Sequence, residues 1–210
     1  MTEIVAEISG NHGGKLDNAI RLIDIAKSCG ADAVKFQCFD PEQLARKREG
    51  IHWQGIEMTF DMLLDLYSKT QTPEIWFPHL AYEANHIGIP WFSSVFHPDD
   101  VAFLETLNCP RYKISAYEML DGHLINAVVA TGKPIVMSVR PREGLTILAA
   151  TDYGRTGEQL GFSDHTIEGV PSPGSPYVER HIRLPDIDTP DAAFSSTPEE
   201  FAAYVKAIRS

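Results

Sequence analysis

The sequence lacks long apolar stretches and paired cysteines. No apolar run approaches the ~18 residues that would span a bilayer, and the opening Met1-Thr2-Glu3-Ile4-Val5 lacks the basic start and apolar core of a signal peptide. The three cysteines, Cys29, Cys38 and Cys109, are an odd number without metal-ligand spacing. We therefore expect reduced thiols in or near the core, in a soluble cytoplasmic protein.

Basic residues are also few. The 18 lysines and arginines stand against 29 scattered acidic residues, which gives a net charge of −11. Phosphate binding needs a basic face, so this surface excludes nucleic acid and anionic membrane as partners. An anionic substrate must instead meet a local basic pocket. The length of 210 residues and the 43% hydrophobic content suit one domain over residues 1–210.

Strand-like and helix-like stretches alternate over the first two thirds of the chain. Strands are predicted at 4–8, 33–36, 91–95, 112–115 and 134–138, and helices at 16–29, 60–67, 73–86, 98–107 and 121–131. Five strand–helix units of this kind predict a parallel sheet, most economically a barrel.

The rhythm changes after residue 138. Strand-like stretches at 145–150, 160–162 and 177–179 are joined by segments too short or too rich in proline and glycine for a crossover helix. An extended six-residue link spans roughly 20 Å, enough to return along a short strand. We expect an α/β fold, a (β/α)8 TIM-type barrel with several outer helices missing in the C-terminal half. Ser196-Thr197-Pro198-Glu199-Glu200 predicts the start of a final helix that reaches residue 208.

Polar side chains stand where several predicted strands end. Their ends would open into one mouth of a parallel barrel, where His165 and His181 could hold one divalent metal ion. Lys35 and Lys113 close apolar strands, where an unpaired lysine is costly, and this favours an anion site.

Each of these interpretations has an alternative. The two histidines can be hydrogen-bonded residues of the mouth without a metal, and the two lysines can reach solvent. Glu7 can be a buried ion-pair partner of one of the lysines. His12, followed by two glycines, can form a turn without any role in a site.

The sequence resembles the sialic acid synthase family, whose members condense phosphoenolpyruvate with an N-acetylated hexosamine to form a nonulosonic acid and phosphate. Six strings in family order carry the resemblance over almost the whole chain. They are Ala6-Glu7-Ile8 with Asn11-His12-Gly13-Gly14, Gly30-Ala31-Asp32-Ala33-Val34-Lys35-Phe36-Gln37, Tyr112-Lys113-Ile114 with Glu118, Thr131-Gly132-Lys133-Pro134-Ile135, Gly161-Phe162-Ser163-Asp164-His165-Thr166, and Glu179-Arg180-His181.

The resemblance implies roles for particular residues. His165 and His181 would bind a divalent ion, most often manganese, and the carboxyl groups of Glu7 and Glu118 would lie beside the reacting carbons. The residues implied for the carboxylate and phosphate of phosphoenolpyruvate are Lys35, Lys113, Ser94, Ser138 and Ser163. Those implied for the aminosugar are Gln37, Tyr153 and Asp191.

The chain also departs from the family. Its sequence stops at Ser210, so we expect it to lack the small C-terminal antifreeze-like domain of the family, and Ser138-Val139-Arg140 stands where the family has Ser-Thr-Gly. We therefore hypothesise that the phosphoenolpyruvate and metal halves are kept while the acceptor half has changed. One alternative is a catalytically silent paralogue that binds an anion or a partner synthase; another is a related phosphoenolpyruvate aldol enzyme with a different sugar acceptor. A homo-oligomer is expected in every case.

Overall fold

The computed structural model describes residues 1–53, 55–139, 146–152, 155–166 and 175–210, with the backbone alone at 53, 139, 146–152 and 155–160. The strands are β1 (Glu3–Glu7), β2 (Ala33–Cys38), β3 (His52–Trp53), β4 (Ile56–Glu57), β5 (Trp91–Val95), β6 (Tyr112–Ile114), β7 (Ile135–Val139), β8 (Thr146–Asp152), β9 (Arg155–Asp164) and β10 (Tyr177–His181). The α-helices are α1 (Leu16–Ser28), α2 (Pro41–Arg48), α3 (Phe60–Thr70), α4 (Phe77–Ile87), α5 (Pro98–Glu105), α6 (Gly122–Ala130) and α7 (Pro198–Arg209).

Eight of the strands close into a barrel in the order β1-β10-β9-β8-β7-β6-β5-β2, and β3 and β4 form a separate hairpin. Between α6 and α7, the described residues contain no α-helix. The predicted (β/α)8-type barrel is therefore confirmed, and outer helices are missing among the described residues of its C-terminal half.

The direction of one barrel strand differs from the expectation. Strand β8 pairs antiparallel with both β7 and β9, and its Thr151 lies opposite Ile135, the first residue of β7. The other seven strands are parallel. The expectation of a parallel return was wrong because antiparallel neighbours can be joined by a short link, whereas parallel neighbours need a crossover.

Helix ends follow local sequence signals. Thr197 caps α7 in a reciprocal capping box with Glu200, as the Ser-Thr-Pro-Glu-Glu string predicts. His97 forms the same kind of box with Asp100 at the start of α5. After α1, Gly30 adopts a φ of 90°, a left-handed conformation that suits glycine. These caps fix where each helix leaves the barrel.

Two apolar clusters pack around the barrel. The larger one joins the strands to helices α1, α4, α5, α6 and α7. The second, which we call the mouth cluster, consists of Phe39, Leu44, Ala45, Met58, Leu63, Tyr67 and Phe96. Phe39 follows β2 and Phe96 follows β5, so this cluster lies at the carboxyl ends of those strands. The insertion that supplies α2, the β3–β4 hairpin and α3 thus builds one side of the barrel mouth.

Two expectations from composition, on the cysteines and on membrane-spanning helices, can be compared with the structure. Cys29, Cys38 and Cys109 are all free thiols, as expected. None of the helices in the described part of the chain is long and apolar enough to cross a membrane.

Candidate active site at the barrel mouth

A cavity of about 380 Å³ opens at the carboxyl ends of the parallel strands. Its floor is polar and comes from the barrel strands and the segments that follow them. Another part of its lining, which we call the apolar wall, consists of Phe39, Leu44, Ile51, Leu63, Leu66, Tyr67 and Phe96. The size is in the range of small-molecule sites, and the position is the usual one for active sites of this fold.

Strand register assembles the floor. Glu7 lies between Lys35 on β2 and His181 on β10, and these three residues are direct neighbours across the sheet. Ser94 on β5 lies beside Lys113 on β6 in the same way. Residues far apart in sequence therefore meet because they occupy inward-facing positions near the carboxyl ends of adjacent parallel strands.

Two buried lysines form the centre of the floor. Lys35 forms an ion pair with Glu7, donates to the hydroxyl of Ser94 at 3.0 Å, and lies 3.7 Å from Glu179. Lys113 forms an ion pair with the same Glu179. Burial lowers the pKa of Lys35 to about 7, although the charge of Glu179 works in the opposite direction. A partner that adds negative charge would stabilise the protonated amine.

Glu179 receives hydrogen bonds from several sides. Ser163 donates to its Oε1 at 2.9 Å, and the hydroxyl of Tyr177 donates to its Oε2 at 3.1 Å. Burial raises the pKa of Glu179, but the two lysines outweigh that effect and hold it well below the usual range for a carboxyl group. Glu179 is therefore a fixed negative charge that orients both lysines.

Two histidines lie at the edge of the floor beside Asp191. The ring centroids of His165 and His181 are 5.1 Å apart, and both rings pack against Phe194. Burial lowers the pKa of both imidazoles, that of His181 strongly, so both are neutral near pH 7. A neutral imidazole is the form that binds a metal.

The donor set fits a divalent ion whose coordination is completed by non-protein ligands. Nδ1 of His181 is buried, has no hydrogen-bond partner among the described residues, and lies 3.7 Å from a carboxylate oxygen of Asp191. The described residues contain no group of three or more His, Cys, Asp or Glu side chains already arranged as a metal site. Open positions of this kind are typical of catalytic rather than structural metal sites.

A hydrogen-bonded chain links two of the predicted sugar-binding residues. Gln37 donates to the hydroxyl of Ser9 at 3.0 Å, and this hydroxyl donates to Asp191 at 2.7 Å. Ser9 has a φ of 46°, which L-residues rarely adopt. All three side chains line the cavity, so a bound molecule could exchange hydrogen bonds with them.

Glu118 does not line the cavity, unlike the other predicted site residues that the structure describes. It is fully buried behind Arg48, which places Nη2 2.8 Å from Oε1 and 2.9 Å from Oε2. Ser115 donates a further hydrogen bond to the same carboxylate. Arg48 does line the cavity, and its guanidinium lies over the rings of Phe96 and Tyr117. Glu118 can therefore act on a bound molecule through Arg48.

The structure brings together most of the residues predicted from the sequence. The cavity is lined by Glu7, Lys35, Gln37, Ser94, Lys113, Ser138, Ser163, His165, His181 and Asp191. Tyr153 lies outside the described residues. His12 is buried, and its Nδ1 accepts a hydrogen bond from the amide of Gly14. This contact agrees with the interpretation of His12 as part of a turn.

Sequence reasoning missed Glu179, Ser9 and Arg48 as cavity residues. Glu179 carried a signal, because Tyr177, Glu179 and His181 alternate along β10 and residues two apart face the same side of a strand. Arg48 lies at the end of a helix within the insertion and carried no comparable signal.

The fold and the site define the class of this protein: a (β/α)8-type barrel with a small-molecule cavity at its carboxyl end. A family model described as the NeuB family matches residues 22–150. The chain belongs to the NeuB family.

Individual relatives agree with this placement. Pseudaminic acid synthase of Helicobacter pylori is 31% identical over 249 aligned positions, which cover 99% of this chain and 73% of the relative. N,N'-diacetyllegionaminic acid synthase of Legionella pneumophila is 27% identical and covers 98% of this chain and 71% of its own. The alignments are longer than the 210 residues of this chain, so these relatives have segments without a counterpart here.

A solved structure supports the fold. The N-acetylneuraminic acid synthetase of Leptospira borgpetersenii, determined with citrate, superimposes with a TM-score of 0.78 at 20% identity. The match covers 99% of this chain and 82% of that one. At this identity the likeness concerns the fold alone.

Proposed function

We propose that this protein condenses phosphoenolpyruvate with an N-acetylated hexosamine, forming a nonulosonic acid and releasing phosphate. The observation that carries the proposal is the pair of buried lysines, Lys35 and Lys113, held at the cavity floor among the hydroxyls of Ser94, Ser138 and Ser163. Lysines and hydroxyls are suitable donors for a carboxylate and a phosphate. Relatives that act as pseudaminic and legionaminic acid synthases support the same reaction class.

Charge balance at the floor supports a divalent ion. The two lysines are matched by Glu7 and Glu179, so these four groups carry no net positive charge. A substrate with about three negative charges would need additional positive charge in a protein of net charge −11. We propose that His165 and His181 hold this ion, with Asp191 beside them, and manganese is the metal we favour. When bound, the ion would act as a Lewis acid towards a carbonyl oxygen.

The residues of the chain would position the reactants. The lysines and serines would hold phosphoenolpyruvate on the floor, so that its C3 carbon attacks the aldehyde carbon of the open-chain sugar. When the new bond forms, the aldehyde oxygen becomes an alkoxide, which takes up one proton to give a hydroxyl. Water then adds to the former enol carbon, and the C–O bond to phosphate breaks. Glu7, next to Lys35, is the carboxyl group we propose to accept and return the protons.

Gln37 and Asp191 would bind the hydroxyl and amide groups of the sugar. Both are polar, both line the cavity, and Ser9 already connects them. Glu118 would be a positioning residue, because its carboxylate reaches the cavity only through Arg48.

Phosphate release tests the proposal. Manganese-loaded protein should release phosphate from phosphoenolpyruvate only when N-acetylmannosamine or a related N-acetylated hexosamine is present, and His165→Ala should abolish the release. Phosphoenolpyruvate binding without release, with every acceptor tested, would contradict a synthase and favour a catalytically silent paralogue. Release that does not depend on a sugar would contradict the condensation itself.

A further inference from the structure

Asn11 is fully buried in the loop that follows β1, and it has no part in the proposed reaction. Its side chain does not line the cavity. Its amide nevertheless makes three hydrogen bonds: Nδ2 donates to the carbonyl oxygen of Ile182 and to the hydroxyl of Ser195, both at 2.9 Å, and Oδ1 accepts from the hydroxyl of Thr189 at 2.6 Å. Both N–H groups of the amide are therefore used, as a buried amide requires.

The partners of Asn11 belong to two pieces of the chain. Ile182 directly follows β10, whereas Thr189 and Ser195 stand at the two ends of residues 189–195, which we call the clasped segment. Asn11 therefore ties the end of β10 and both ends of the clasped segment to the loop after β1.

The loop after β1 touches the same region at two further points. Gly13 lies so close to Ile187, just before the clasped segment, that a Cβ on this glycine would be 2.8 Å from the isoleucine side chain. The hydroxyl of Ser9 donates to the carboxylate of Asp191 at 2.7 Å. The loop and the clasped segment are thus packed together as one unit.

The clasped segment supplies the surface against which both imidazoles rest. The ring centroid of Phe194 lies 5.2 Å from that of His165 and 5.0 Å from that of His181, in T-shaped contacts. Metal-binding histidines usually have their second ring nitrogen held by a hydrogen bond. Among the described residues, however, Nδ1 of His181 has no hydrogen-bond partner, and the oxygen of Asp191 lies 3.7 Å away. The orientation of this ring therefore depends on packing, and Phe194 provides it.

We propose that Asn11 is a positioning residue for the histidine pair: by fixing the clasped segment, it holds Phe194 against both rings and so maintains their centroid separation of 5.1 Å. This inference rests on the proposed function, in which the two histidines hold a divalent ion. An asparagine suits the position because its amide supplies two donors and an acceptor without charge. An aspartate would lose both donors and bring a charge into a buried place.

Asn11→Leu tests this role, because it removes all three hydrogen bonds and keeps a side chain of similar shape. Asn18→Leu is the matched control: Asn18 is also buried, and its Nδ2 donates at 3.0 Å to the carbonyl oxygen of His12 in the same loop, and not to the clasped segment. The manganese dissociation constant is measured without substrate, from the paramagnetic resonance signal of the free ion. We expect it to rise about 10–100-fold in Asn11→Leu and to stay at the wild-type value in Asn18→Leu. An unchanged constant in Asn11→Leu, or an equal rise in both variants, would overturn the proposal.

Thr189 offers a milder pair of variants in case Asn11→Leu does not fold. Thr189→Val removes the hydroxyl that donates to Asn11, whereas Thr189→Ser keeps it. Thr189→Val should weaken manganese binding, and Thr189→Ser should bind as the wild type does. Equal dissociation constants in these two variants would also overturn the proposal.

Nuclear magnetic resonance of the metal-free protein separates this inference from the proposed function. The ring-nitrogen signals of His165 and His181 should shift in Asn11→Leu and stay in place in Asn18→Leu, because only the first variant releases Phe194 from its fixed position. Unchanged signals in Asn11→Leu would overturn the positioning role, whatever the activity of the protein. Shifted signals in a protein that binds no manganese, or that binds it and releases no phosphate, would overturn the proposed function alone.

Discussion

Arg48 and Glu118 form a buried two-pronged ion pair that joins helix α2 to the segment after β6, with distances of 2.8 Å and 2.9 Å. Removing one partner leaves the other charge buried and unmatched. We expect Arg48→Met to lower the free energy of unfolding by about 3–5 kcal/mol. The double variant Arg48→Met/Glu118→Gln should recover much of this loss. Urea denaturation measures both, and a single variant as stable as the wild type would contradict the role assigned to the pair.

Lys113 should be needed for binding phosphoenolpyruvate. Lys113→Met removes a cation from the floor and leaves Glu179 with Lys35 as its remaining basic partner. We expect the dissociation constant of phosphoenolpyruvate to rise at least about tenfold, in line with the loss of one charge-assisted contact. Titration calorimetry measures it.

The double variant Lys113→Met/Glu179→Gln separates binding from folding. It removes the unmatched carboxylate, so its melting temperature should exceed that of Lys113→Met while phosphoenolpyruvate still binds weakly. Recovery of tight binding in the double variant would show that Lys113 is there to neutralise Glu179 and not to hold the substrate.

A divalent ion should stabilise the folded protein through the two histidines. We expect manganese to raise the melting temperature of the wild type, because a ligand that binds only the folded state shifts the unfolding equilibrium. The shift should disappear in His165→Ala and after chelation. The matched control is His79→Ala, because His79 is exposed on α4, away from the cavity. Equal shifts in both variants would place the metal elsewhere.

His12 should make stability depend on pH. Burial lowers the pKa of His12 from 6.5 to about 4. Between pH 6.5 and pH 4 its ring is therefore protonated in the unfolded chain and neutral in the folded protein. This contribution to stability is complete above pH 6.5 and is lost as the pH falls towards 4. The loss between pH 7 and pH 5 should be about 2 kcal/mol. In His12→Asn that part of the pH dependence should be absent from urea denaturation curves; an unaltered curve would contradict a neutral His12.

Gly161 should resist substitution. A Cβ at this position would lie 2.7 Å from the carbonyl oxygen of Tyr177, where β9 approaches β10. We expect Gly161→Ala to cost about 1–3 kcal/mol, because the contact is with backbone that cannot move aside. Gly122→Ala, at the start of α6 with open space around it, is the control and should be neutral or slightly stabilising. Similar effects at both positions would argue against close strand packing.

Most of the fold and much of the site could be predicted from local patterns in the sequence. Lys35 and Lys113 stood out because they end apolar strands, and parallel strands bring such ends to one mouth. The direction of β8 could not be read in this way, because strand sequences carry their alternation of faces but not their direction relative to neighbours. Arg48 was missed because its contact with Glu118 joins residues 70 positions apart through a tertiary arrangement that helix periodicity does not encode.

The reversed strand β8 still leaves the ring of eight strands closed. A sheet with two edges would offer its unpaired amides and carbonyls to another chain, and such edges promote aggregation. Here each barrel strand, in the part of the chain that the structure describes, has a bonded neighbour on either side over at least part of its length, so no whole strand stands at an edge for a second molecule to extend. In the described residues of this NeuB-family barrel, closure therefore limits edge-to-edge association even where no α-helix covers the strands between α6 and α7.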